Sequence, residues 1–296
     1  MKTRKWPFVY VGVITVITYI PIIMTVIYSF NASKLTSVWE GFSLKWYEEL
    51  FRDRDLKEAL INSLILAVLS CSCAVLIGTT GALGMYRAKR QNAAGGRRVG
   101  GKKVVAGGRK VTSDGRWNAA GSGLLNETIA YISMLPIMIP EIILGMVFLS
   151  VFSLMGLPFG MLTLVIAHTT FCVPYVYSMV KARLVGMDKS LEEAALDLGA
   201  SPVQVFFDIT LPQIMPAILS GVMLAFAMSF DDVVISIFVT GPKVNTLPVK
   251  IYTKLKTGVT PQINALATVM LAITVVLILG SSAVGKIRVQ KTKGED

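Results

Sequence analysis

The segregation of charge along this chain limits its fold more than any other feature. Of 296 residues, 16% are charged and 53% hydrophobic, and the charges collect in blocks that leave long apolar runs between them. The runs cover residues about 8–30, 60–86, 124–154, 158–183, 214–239 and 264–286. Each can cross roughly 30 Å of hydrocarbon, which takes about 20 helical residues, with some tilt. A mean hydropathy of +0.63 exceeds what one soluble core can hide, so the bilayer takes the surplus. Backbone polar groups in lipid must be satisfied internally, which points to an all-α polytopic membrane protein of about six transmembrane helices. The first run, Phe8 to Phe30, is longer than a signal-peptide core and is expected to remain as the first span.

The formal charge of +11 comes from 29 basic and 18 acidic residues. In a membrane protein such an excess marks the loops that stay in the cytoplasm rather than a nucleic-acid partner. Lys2, Arg4 and Lys5 precede the first run, and Lys286, Arg288, Lys291 and Lys293 close the chain, so both termini are expected in the cytoplasm. Residues 87–123 carry ten basic residues against one acid, Asp114, and belong on the same side. Residues 31–59 are then external, as by parity are 240–263, although Lys243, Lys250, Lys254 and Lys256 run against the rule there. Cys71, Cys73 and Cys172 lie inside apolar runs as small hydrophobes and build neither a disulfide framework nor a metal site.

Residues 91–123 form a Gly- and Arg/Lys-rich loop insertion whose composition cannot pack a core, and disorder is the default reading. A functional reading makes it a polybasic patch on anionic membrane lipid. Its glycine pairs follow no strand and open no helix, so they are not a phosphate loop.

Residues 188–212 are too polar to cross, yet they are punctuated as two short helices. Ser190 and Glu193 have capping-box spacing, which starts the first helix at Leu191. Leu191, Ala194, Ala195 and Leu198 form a narrow apolar stripe, with Glu192, Glu193 and Asp197 expected to face away. Gly199 stops that helix, and Ser201, Pro202 and Gln204 start a second, with Val203, Phe206 and Phe207 as its apolar face. Pro212 and Pro216 lead into the fifth span. An eight-residue helix is not stable alone in water and must dock on something.

Glu193-Ala194-Ala195, then Gly199, then Ile209-x-Leu211-Pro212 after nine residues, resembles the signature of permease subunits of binding-protein-dependent ABC importers. All seven named positions are filled. The stretch Met228–Pro242, with Thr246–Tyr252 and Asn264–Thr268, is similar to the second permease of the spermidine/putrescine importers. The similarity covers most of the chain and departs at 91–123, where that family has a short turn. The resemblance implies a type I ABC importer permease fold in the bacterial inner membrane, alternating access, and no catalysis or cofactor in this chain. It also implies three kinds of partner: a sister permease subunit, two ATPase subunits and a substrate-binding protein. Glu193, Ala194, Ala195, Gly199, Ile209, Leu211 and Pro212 become the ATPase-coupling segment, a helix that fits a cleft in the cytoplasmic ATPase.

Within the spans, Glu141 and His168 fall near mid-membrane, and Asp231 and Asp232 toward the outer end of the fifth. An intramembrane carboxylate costs about 2.5–3.5 kcal/mol, so it usually faces a cavity or a partner. A polyamine needs such groups to replace the water around its ammoniums, which makes Asp231, Asp232 and Glu141 substrate-path candidates. The structural alternative is that Asp231 and Asp232 cap a helical restart after Ser229-Phe230, and that His168 is a hydrogen-bonded packing residue. Trp39, Trp46 and Tyr47 are either interfacial anchors or a docking face for the binding protein. Three rival functions stand beside this one. A metal, anion or thiamine cargo keeps the importer, but an anion calls for basic residues in the spans. A secondary transporter calls for inverted repeats, whereas the 188–212 segment has no counterpart. An intramembrane enzyme calls for a nucleophile with a base or a metal cluster.

Overall fold

The computed structural model describes residues 6–34, 38–97, 128, 131–188, 190–242, 244–258 and 260–276. Its elements are α1 (Trp6–Tyr28), α2 (Lys45–Arg52), α3 (Arg54–Arg97), α4 (Tyr131–Met138), α5 (Glu141–Leu154) and α6 (Met161–Val185). They continue with α7 (Ser190–Asp197), α8 (Pro202–Val205), a π-helical turn (Phe206–Thr210), α9 (Leu211–Asp231), α10 (Val234–Val239), α11 (Leu247–Thr257) and α12 (Pro261–Val276). Among the described residues four helical stretches are long and apolar enough to cross a membrane: Val9–Tyr28, Arg54–Ala88, Met161–Val185 and Pro202–Asp231. Taken as one span, the bent pair α4–α5 is a fifth.

Two expected spans are broken. The third run is divided by a 110° bend between α4 and α5, at the point where Pro140 has no amide to continue the helix. The fifth run is divided after Asp231, and α10 restarts at Val234. The sixth run begins as α12, and its remainder, 277–286, lies outside the described residues. So does the insertion from 98 onward, whereas 91–97, expected in the same disordered loop, continue the helical backbone of α3.

The core is formed by α3, α6 and α9, which pack against one another, with α10 on α5 and α11 on α3. Val176 of α6 sits between two glycines, and a Cβ on Gly78 would lie 3.0 Å from its Cβ and one on Gly221 3.1 Å from its Cα. Small residues let helix backbones approach, and van der Waals packing rather than water expulsion then holds them in lipid. Leu164, Ala167, Cys172, Val180, Leu184, Ile214 and Ala225 fill the rest of the seam and are fully buried. In contrast, α1 buries nothing in its apolar stretch. Its threonine hydroxyls are satisfied within the helix, with Thr15, Thr18 and Thr25 donating to the carbonyls of Val11, Ile14 and Pro21.

The two ends of α3 orient the molecule. At its first turn Asp55 meets Lys250 of α11, and the preceding Asp53 meets Lys254, both at 3.3 Å. Two of the four lysines of 240–263 that lacked local acids, Lys250 and Lys254, therefore find them in 31–59, which places both loops at one end of the bundle. At the other end Arg87 stands over the ring of Phe206, 5.5 Å from its centroid. Thirty-two helical residues, about 48 Å, separate Asp55 from Arg87. The loop 31–44 is pinned by Asn31, whose Oδ1 accepts from Ser33 and Glu40 while its carbonyl accepts from Trp46 Nε1 at 2.6 Å. Trp46 is thereby buried, and Trp39 remains half exposed, edge-on to Tyr28.

Candidate functional site

At the Arg87 end, α7 and α8 meet at a Gly199 corner. Gly199 has φ +91°, and the amides of Gly199 and Ala200 return to the carbonyls of Leu196 and Ala195, both at 3.0 Å. This Schellman pair needs the left-handed conformation that glycine adopts without penalty. The Ser201–Gln204 capping box is present in both directions, the Gln204 amide donating to Ser201 Oγ at 3.3 Å and the Ser201 amide to Gln204 Oε1 at 2.8 Å.

Three features of this segment differ from the sequence reading. First, α7 begins at Ser190 rather than Leu191, and the Ser190 amide donates to Asp188 Oδ1 at 3.0 Å. That contact holds the Asp188 carboxyl below its ordinary range, through the Ser190 amide and then its hydroxyl. Second, α8 is not a separate helix, because the π-helical turn carries it into α9 and the Leu211 amide reaches back to Phe206 O. Pro212 cannot supply an α-helical bond there, and a widened turn accommodates the gap. Third, one of the three acids expected to face away turns inward, while Glu193 and Asp197 stay exposed. Glu192 is buried and its Oε1 accepts from Thr210 Oγ1 at 2.8 Å, while Leu191 is 52% and Leu198 88% exposed. A stripe of four small and apolar positions over eight residues did not determine which side meets the rest of the chain.

The signature residues sort accordingly. Glu193, Ala194, Gly199 and Pro212 are exposed, and Ala195, Ile209 and Leu211 are half-buried. Together with Leu191, Leu198, Val203 and Phe207, they leave a surface, apolar apart from Glu193, that none of the described residues covers.

The second site is a polar network inside the bundle. His168 of α6, fully buried, has Nδ1 2.9 Å from Ser229 Oγ of α9 and Nε2 3.0 Å from Ser236 Oγ of α10. Asp232 fills the break between α9 and α10. It accepts from the Ile235 amide at 3.2 Å and from the Ser236 amide and hydroxyl at 2.8 Å, with His168 Nε2 3.4 Å away. Ser70 of α3 extends the chain through a 3.0 Å contact with Ser229. Asp232 thus caps α10, as the structural alternative held, though the restart falls after Asp232 rather than after Phe230. Asp231 and Glu141 lie apart from the network, both exposed, at the last residue of α9 and the first of α5. Sequence reasoning missed Ser229 and Ser236, although with Asp232 they stand at i, i+3 and i+7, one polar stripe. It also missed the Glu192–Thr210 pair, for which no periodic signal exists.

Residues 117–293 match the family described as binding-protein-dependent transport system inner membrane component. The chain is 40% identical over 259 residues to the putrescine transport system permease protein PotI of Escherichia coli strain K12, covering 86% of this chain and 81% of that one. It is 38% identical over 276 residues to the spermidine/putrescine transport system permease protein PotC of the same strain, covering 93% and 91%. A solved bacterial ABC transporter involved in the import of the acidic polysaccharide alginate superposes with a TM-score of 0.67 at 16% identity, covering 96% of each chain. The MetNI methionine ABC transporter in an inward-facing conformation superposes at 0.59 and 17%, covering 78% of this chain and 95% of that one.

Proposed function

The chain belongs to the family of binding-protein-dependent transport system inner membrane components, and from that premise we propose that it is a polyamine permease of an ATP-driven importer. It works with a sister permease, two ATPase subunits and a binding protein that delivers putrescine or spermidine from outside. ATP is bound and hydrolysed by the ATPase pair. The end that carries Arg87, Gly199 and Phe206 faces the cytoplasm together with both termini, and the Asp53–Asp55 and α11 end faces outward, in keeping with the basic residues that crowd 87–123.

The observation that carries this reading is the outward-facing stripe of α7. An eight-residue helix with Leu191 exposed on it and Leu198 exposed just past its end gains stability from a partner, and a cleft in the ATPase is the partner this family supplies. Closure of the ATPase pair moves α7 and exposes the path alternately outward and inward. Asp231 and Glu141 line that path and replace hydration around the ammonium groups, whereas Asp232 acts through the fold by holding the break in the fifth span.

The test is ATP hydrolysis by the complete reconstituted complex over a panel of polyamines, metal ions and anions, each with its loaded binding protein. Polyamines are expected to stimulate it. Stimulation by sulfate or iron without response to polyamines overturns the cargo.

A further inference from the structure

We infer that the buried hydrogen bond between Glu192 and Thr210 is a strut that carries force from α7 into the fifth span, with Glu192 as a positioning residue for transport. This rests on the coupling role proposed above for α7. It assigns a task to Glu192 separate from that of its exposed neighbour Glu193.

The covalent route from α7 to α9 runs through the Gly199 corner, the place in the segment where backbone rotation is easiest. Linked to α9 by that corner and by packing alone, α7 could shift against the fifth span when pushed. The bond from Thr210 Oγ1 to Glu192 Oε1, 2.8 Å long, joins residues 18 apart and closes the corner into a triangle. Its two ends are 6% and 4% exposed, so water does not compete for it. A carboxylate acceptor makes such a bond shorter and stronger than a neutral one.

The far end of the strut is equally specific. Thr210 closes the π-helical turn, and α7 packs on α8 and on that turn. The same region is held to the core helices by Arg87 of α3 over Phe206 and by Arg183 of α6, whose Nε donates to Gln213 O at 2.9 Å. A displacement arriving at Thr210 therefore reaches α3, α6 and α9 together.

The test uses the complete complex in vesicles, with polyamine uptake and ATP hydrolysis measured on the same preparation. Thr210→Val removes the hydroxyl at constant volume. Uptake per ATP is expected to fall about tenfold, the effect of losing one charge-assisted hydrogen bond, while hydrolysis stays within about twofold. Thr210→Ser is expected to restore the ratio, and Glu192→Gln, which keeps a neutral acceptor, to fall between. A parental ratio in Thr210→Val overturns the inference. So does a parallel loss of uptake and hydrolysis that Thr210→Ser fails to repair, since that marks a packing role. If Thr210→Val does not assemble, Glu192→Gln decides, and an unchanged ratio overturns the strut. Leu191→Glu with Leu198→Glu separates the two readings. Normal ATPase recruitment by that variant sinks the docking of α7 whatever Thr210 does, whereas lost recruitment beside an unaffected Thr210→Val sinks the strut alone.

Discussion

The Gly199 corner and the break at Asp232 contain the same device in two solvents. Each has adjacent acids, Glu192-Glu193 and Asp231-Asp232, of which one turns inward to a hydrogen-bonded position and the other stays exposed. At the corner the inward acid meets a hydroxyl at the edge of water. In the span, Asp232 receives an imidazole contact and three donated hydrogen bonds, because a carboxylate in lipid is tolerable only when its lone pairs are filled. The same local pattern thus braces the corner with one buried hydrogen bond and holds the break inside the span with several.

Four experiments can break or sharpen that contrast. The largest effect is expected from Asp232→Ala, which leaves two α10 amides and the Ser236 hydroxyl without their acceptor. Removing one partner of a buried pair costs about 3–5 kcal/mol. Thermal unfolding of the complex in detergent should show it, with Asp232→Asn milder, and an unchanged midpoint would return Asp232 to the substrate path.

Gly199→Val comes next. Its φ of +91° strains a branched side chain, at about 1–2 kcal/mol for the left-handed region. Assembly should survive while uptake falls and ATP hydrolysis continues. Preserved coupling would show that the corner geometry is dispensable.

Asp231→Asn should leave the unfolding midpoint alone and lower polyamine uptake by about fivefold, equivalent to about 1 kcal/mol for an exposed charge contact. Equal uptake would reduce Asp231 to a surface group.

The smallest effect concerns Asp188. Its carboxyl titrates below the ordinary range, so its hold on the first turn of α7 is complete above that range and fades as pH falls through the lowered value. Hydrogen exchange of α7 amides should rise on acidification once corrected for intrinsic pH dependence, and Asp188→Asn should abolish that extra rise.

What could be read without coordinates follows from local chemistry. Capping spacing placed Ser201-Pro202-Gln204 at a helix start and Gly199 at a corner, since these depend on residues within one turn. The 110° bend at Pro140 has an equally local cause, since a proline has no amide to continue the helix. The face of α7 was not legible, because inward and outward apolar stripes look alike until a partner is named. Nor was the division of labour between Asp231 and Asp232, which depends on His168, 64 residues away, and on Ser70, farther still.

By itself the sequence determined that the chain crosses a membrane repeatedly, which loops are charged, and where helices start and stop, because hydropathy and capping act over one helix at a time. Tertiary structure alone decided that Lys250 and Lys254 neutralise Asp55 and Asp53, that Glu192 turns inward to Thr210, and that Asp232 is walled in by His168 and Ser236. Those pairings join residues far apart in the chain. They exist only after helices pack closely enough for a buried charge to find its partner.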